Sequence, residues 1–285
     1  MASTSTYLTR TAVALVLLLV GACGSEADAG PEPTSSSPTS PAPTSTAPAE
    51  GLTLVVIGDS IPFNAPEDCP GCTAFADLYA QELEQATGQT VEVQNFSDHT
   101  GLTLERLLEG LPPLEQYLAE ADAIVVGIAH NSSELAADRP CGAPLTDAGF
   151  PRWEAVDAEC AADAVRRYRP LYDRLFELVA ATRAGRPTIL RTVNRYNDWI
   201  GYAEADLTAD QEQRTALVLD AWNSMLCTSA ESHEFGCADI YRAFNGVDGL
   251  RPSGPLLAED YTHPSQRGND VIAKALAELG FEPLA

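Results

Sequence analysis

Leu52-Thr53-Leu54-Val55-Val56-Ile57-Gly58-Asp59-Ser60-Ile61 decides how the rest of the chain is read. Its branched apolar run, closed by glycine, predicts a short strand buried on both faces. Ending at Gly58-Asp59-Ser60, such a strand leaves the Ser60 hydroxyl at its C-terminal edge. In open α/β sheets that edge is where ligands bind. A serine there lacks a base, a group to orient the base, and donors for an oxyanion.

Beyond Ser60, helical and strand patterns alternate. A helix is expected over 74–87, with Phe75, Leu78, Tyr79 and Leu83 at helical spacing and Gly88 as C-cap. Residues 91–96 alternate as a second strand, and 102–118 read as a helix bent or split at Pro112-Pro113. Residues 123–129 form a third, buried strand. An irregular stretch follows to about Glu159, of a length that usually builds rims or lids. Pro170 is expected to open a helix to Thr182; 188–193 is a fourth strand and 209–226 a helix. A short fifth strand over 237–241 and a closing helix over 264–279 complete the pattern. This alternation implies an α/β fold whose central, mostly parallel five-stranded sheet is covered on both sides in flavodoxin-like order.

The first fifty residues read differently. Arg10, an apolar run over 12–20 and Gly21-Ala22-Cys23 follow the layout of a secretory signal. The run is too short for a membrane span, which needs about 20 apolar residues. Val20-Gly21-Ala22-Cys23 resembles the lipobox of bacterial lipoproteins, which implies cleavage after residue 22 and a lipid on Cys23. Ordinary secretion with Cys23 incidental is the alternative. Residues 24–50 are almost all Pro, Ser, Thr, Ala, Gly and acidic, a composition that cannot offset its ordering entropy and so serves as a linker. The expected organisation is therefore a signal over 1–22, a lipidated Cys23 with linker over 23–50, and one domain over 51–285. It would sit at the outer face of the cell membrane, or be secreted. With 17 basic against 41 acidic residues the net charge is −24. No basic stripe is available for nucleic acid, and anionic membrane surfaces repel the chain, so a membrane is met only through the lipid. A monomer is expected.

Of seven cysteines, lipidation of Cys23 leaves an even set, which in an exported chain reads as disulfides. The sequence-local pairing is Cys69–Cys72, Cys141–Cys160 and Cys227–Cys237. Closing the two longer loops stabilises by about 3 kcal/mol each in the chain-entropy model. Cys69-Pro70-Gly71-Cys72 also has the form of a redox dithiol, but such pairs usually open a helix directly after a strand, and this one lies in a Pro-rich loop.

His263 is the best candidate base, because Asp260 stands three residues before it in Asp260-Tyr261-Thr262-His263-Pro264. One loop turn can set that carboxylate on Nδ1–H and direct Nε2 at Ser60. A plain helix cap at Asp260 is the other reading. Gly101 follows the second strand and Asn131 the third, so both reach the edge that carries Ser60. The amides of Ser60 and Gly101 and the Asn131 side chain are then three candidate oxyanion donors. Asp98, His99 and His130 have no standard zinc spacing, so neither metal nor cofactor is expected.

Gly58-Asp59-Ser60, Gly101, Asn131 and Asp260-x-x-His263 together resemble the four blocks of the SGNH (GDSL-type) hydrolases, over essentially all of 51–285. The resemblance implies a three-layer α/β/α fold and metal-independent hydrolysis of esters, from lipids to acetylated sugars. It implies Ser60 as nucleophile, His263 as base, Asp260 as its orienter, and Ser60, Gly101 and Asn131 as the oxyanion hole. The third block departs from its usual Gly-x-Asn-Asp, reading Ala129-His130-Asn131-Ser132. No Gly-x-Ser-x-Gly elbow is present, since Pro62 follows Ile61. His130, Trp153, Asn194, Tyr196 and Trp199 are candidate rim residues for an acyl or sugar pocket, with ordinary packing as the alternative for each. A lipase, a short-chain esterase and a carbohydrate O-acetylesterase all fit. A ligand-binding surface lipoprotein without turnover is the contrasting class.

Overall fold

Burial on both faces of one sheet organises the chain. The computed structural model describes residues 51–131, 140–147, 149–201 and 206–285; the expected signal, Cys23 and linker, with Ser132, lie outside them. Five strands, β1 (Leu52–Gly58), β2 (Val91–Asn95), β3 (Ala123–Gly127), β4 (Ile189–Val193) and β5 (Gly236–Ala238), pair in the order β2-β1-β3-β4-β5. The expected flavodoxin-like order holds, and every pairing is parallel.

The helices are α1 (Ser60–Phe63), α2 (Phe75–Thr87), α3 (Leu104–Gly110), α4 (Glu115–Glu120), α5 (Ala158–Thr182), α6 (Ala209–Glu231), α7 (Ile240–Asn245) and α8 (Gln266–Ala277). Side chains of β1 alternate between two cores, as a strand's period of two requires. Val55 and Ile57, with Ile124, Val126 and Leu190, meet Tyr172, Phe176 and Trp222 of α5 and α6. Leu54 and Val56, with Val125 and Val193, meet Phe75 and Tyr79 of α2 and Ile272 and Leu276 of α8. These side chains are almost wholly buried, each stabilising by about 1.5–3 kcal/mol. The layers are helix, sheet, helix.

Several boundaries differ from expectation: α6 runs on to Glu231 and β3 ends at Gly127, and three others have a local cause. Helix α5 begins at Ala158 and carries Pro170 in its interior. Proline there costs about 3 kcal/mol, offset by a buried stripe that already includes Ala161, Ala164 and Tyr168 before it. Asp157 caps the first turn by accepting from the Cys160 amide, and Cys160 is held to Cys141. Strand β5 ends at Ala238, because Asp239 accepts from the Arg242 amide and turns Ile240 and Tyr241 into α7. Pro264 does not start the last helix: it bridges back to Leu257, and Ser265 caps α8. The break at Pro112-Pro113 is present, as a 3-10 turn between α3 and α4. The disulfides pair Cys69–Cys72, Cys141–Cys160 and Cys227–Cys237.

Gly58 faces Gly127 across β1 and β3. A Cβ on Gly58 would lie 2.0 Å from the Gly127 carbonyl oxygen and 2.7 Å from Pro62. Gly58→Ala must therefore separate β1 from β3 where they position Ser60. The expected loss is about 3 kcal/mol or more, read as a lower urea midpoint at unchanged m-value. Gly101→Ala is the contrast: its φ of +77° has open space around it, so only left-handed strain of about 1–2 kcal/mol is expected.

Candidate active site

The end of β1 is fastened to its neighbours by backbone and side-chain hydrogen bonds. The Asp59 amide donates to Gly127 O, and the Asp98 amide donates to Gly58 O. The Asp59 side chain, 1% exposed, accepts from the Ile61 amide at Oδ1 (3.1 Å) and from the Ala129 and His130 amides at Oδ2 (3.1 and 3.0 Å). Burial pushes this carboxyl above its ordinary range, against the pull of the three amides and of Arg195. The outcome is that Ser60 opens the one-turn helix α1 beside the loop that follows β3. Being the first helical residue, its amide has no intrahelical acceptor.

On the other side of β1, Asn95 donates to Pro62 O (2.7 Å) and accepts from the Ser97 amide (3.0 Å). Asp98 closes the next turn by accepting from the Thr100 amide and hydroxyl, and Gly101 follows in the left-handed region. Two strand ends thus deliver Gly101 and Asn131 to either side of Ser60.

His263 arrives from the far end of the chain. Asp260 Oδ1 accepts from the Thr262 and His263 amides at 3.0 Å each, while Oδ2 lies 2.5 Å from His263 Nδ1. Tyr196, wholly buried, donates its hydroxyl to Thr262 O at 2.6 Å and so braces the same turn. Desolvation pulls the imidazole down, but Asp260, Asp68 and Asp59 outweigh it and hold His263 above its ordinary value. Burial likewise pushes Asp260 up, and the hydrogen bonds from His263 and the two amides outweigh it and hold this carboxyl low.

Ser60, Gly101, His130, Asn131 and His263 line one cavity of about 230 Å³. No hydrogen bond joins Ser60 to His263; His263 Nε2 is buried and has no hydrogen-bond partner. Instead Nε2 lies 3.4 Å from Oδ2 of Asp68, whose oxygen is also buried without a partner. Asp68 escaped the sequence reading, although its place directly before the Cys69–Cys72 bridge was a signal that its backbone is pinned.

The rim assignments fare unevenly. His130 lines the cavity, buried against Tyr196 at 4.6 Å between ring centroids. Burial, reinforced by the charges of Arg195 and His263, holds its imidazole well below the ordinary value and therefore neutral. Trp153, Asn194, Tyr196 and Trp199 do not line it. They are consumed by packing and hydrogen bonding: Trp153 stacks edge-on against Trp199, Arg195 lies over Trp199, and Asn194 donates to Asp239. Nor do Asp98, His99 and His130 form a metal cluster; His99 pairs with Glu67 at 3.2 Å and Asp98 serves its own turn. Among the described residues, the donors that do converge are Asp68, Asp260 and His263, within 4.8 Å of one another. One of the three, Asp260, already holds the imidazole.

No family model and no curated protein matches the sequence. Solved structures do. A lipase from a goat rumen metagenome aligns over 82% of this chain and 100% of its own, with TM-score 0.60 and 16% identity. A GDSL-like lipase from Parabacteroides merdae aligns over 80% of this chain and 95% of its own, with TM-score 0.54 and 13% identity. An extracellular lipase from Streptomyces rimosus aligns over 81% and 100%, with TM-score 0.51 and 14% identity. The chain shares the α/β fold of these lipases, as its sequence motifs led one to expect.

Replacing Asp59 by Asn tests how far the edge depends on it. The amide group must face at least one of the three backbone donors and strand it. A stability loss of about 1–3 kcal/mol is expected, measured by urea unfolding.

Proposed function

We propose that this protein is a serine-dependent carboxylic ester hydrolase with Ser60, His263 and Asp260 as its triad. The carrying observation is that His263, with Asp260 on Nδ1, shares one small cavity with Ser60, Gly101 and Asn131. Ser60 Oγ bonds to the ester carbonyl carbon while its proton passes to His263 Nε2, and the carbonyl π pair moves onto oxygen. The Ser60 and Gly101 amides and the Asn131 side chain hold that oxyanion; one such donor is worth about 10²–10³ in rate. Collapse expels the alcohol, which takes the proton from Nε2. Water then repeats the sequence on the acyl-enzyme and returns the proton to Ser60. Catalytic hydrogen bonds are often long before substrate binds, so the open Ser60–His263 contact fits this cycle. The disulfides fit an exported chain, and lipidation at Cys23 would hold it at a membrane.

Two measurements check the reading. A fluorophosphonate probe should label the native chain and leave Ser60→Ala unlabelled; equal labelling of both moves the nucleophile elsewhere. The pH profile follows from His263. A base must be unprotonated to act, and its carboxylate neighbours raise its pKa above the ordinary 6.5. The kcat/KM profile should therefore rise with pH to a half-maximum above that value. A half-maximum on the acid side of it counts against His263 as base.

A further inference from the structure

Resting on the hydrolase reading, we propose that Asp68 selects the alcohol half of the substrate, favouring esters of vicinal polyols whose free hydroxyl it accepts. The leaving oxygen must come within hydrogen-bond reach of His263 Nε2 to receive its proton. Asp68 Oδ2 lies 3.4 Å from that nitrogen, inside the same cavity, and accepts no hydrogen bond. A hydroxyl on the carbon adjacent to the one that bears the leaving oxygen is then within reach of that carboxylate.

The two groups are fixed relative to each other rather than meeting by chance. Asp68 sits between a backbone turn, in which its amide donates to Ala65 O, and the Cys69–Cys72 bridge. The chain on either side of that loop is tied to α8. Asn269, fully buried, accepts from the Phe75 amide (3.0 Å) and donates to Asn64 (3.1 Å) and to Pro264 O, next to His263. Gln266 accepts from the Thr73 amide at 2.8 Å.

Charge narrows the ligand. An anionic alcohol would meet the Asp68 carboxylate. A fixed cation would sit beside His263 as it becomes imidazolium, and like charges in contact repel. A neutral hydroxyl donor has neither penalty. Acylated sugars and acylglycerols share this chemistry.

The test compares 2-hydroxyethyl acetate with 2-methoxyethyl acetate, which lacks only the donor. Losing a hydrogen bond to a charged acceptor costs about 1.5–3 kcal/mol, so the hydroxy ester should lead in kcat/KM by about ten- to a hundredfold. Asp68→Ala should bring that ratio close to one, and Asp68→Asn, which keeps an uncharged acceptor, should leave an intermediate ratio. Monoacetylglycerol and a mono-O-acetylated methyl hexoside then distinguish a lipid from a sugar source, and faster turnover of either than of the methoxy ester supports the proposal. Equal rates for the two simple esters, or a preference that survives both Asp68 variants, overturn it while leaving the hydrolase reading intact. No turnover of any ester, with no fluorophosphonate labelling, overturns both.

Discussion

The Asp59 carboxylate and its three backbone donors hold this edge of the sheet together. A parallel sheet aligns the C-terminal ends of its strands, but alignment alone leaves the following loops free to splay. Asp59 prevents that between β1 and β3, because its Oδ2 accepts from two consecutive amides beyond β3 while Oδ1 accepts from the amide after Ser60. A buried carboxylate without donors would be costly. With three, the serine turn and the Asn131 loop are held at a set separation.

The second constraint is the packing of α8 against the loop between α1 and α2. Asn269 bonds to both sides of that connection, so the C-terminal segment carrying His263 is keyed to the N-terminal segment carrying Ser60. The residues are about as far apart in sequence as this domain allows. Their meeting is a property of the three-layer fold: β1 lies inside the sheet between β2 and β3, and α8 covers one of its faces.

Much of this was legible in the sequence, for identifiable reasons. Branched runs such as 123–127 have a period no surface element shows, and Gly58-Asp59-Ser60 and Asp260-x-x-His263 are local patterns whose geometry is set within a few residues. What was not legible depends on partners distant in the chain. Helix α5 continues through Pro170 because its stripe packs on α6, a tertiary gain that outweighs a local rule. Tyr196 looked like a pocket residue, yet its hydroxyl is taken by Thr262 O. Asp68, one acidic residue among 41, is distinguished only by a buried oxygen that accepts no hydrogen bond.

That last distinction orders the three aspartates around Ser60. Donors to a carboxylate fix both its place and its availability. Asp59 has three backbone donors and serves the scaffold. Asp260 has two backbone donors at Oδ1 and gives Oδ2 to the imidazole, so both of its oxygens are occupied. Asp68 accepts no hydrogen bond at Oδ2, which lies 3.4 Å from His263 Nε2. Of these three chemically identical side chains, it alone has a buried oxygen that accepts no hydrogen bond.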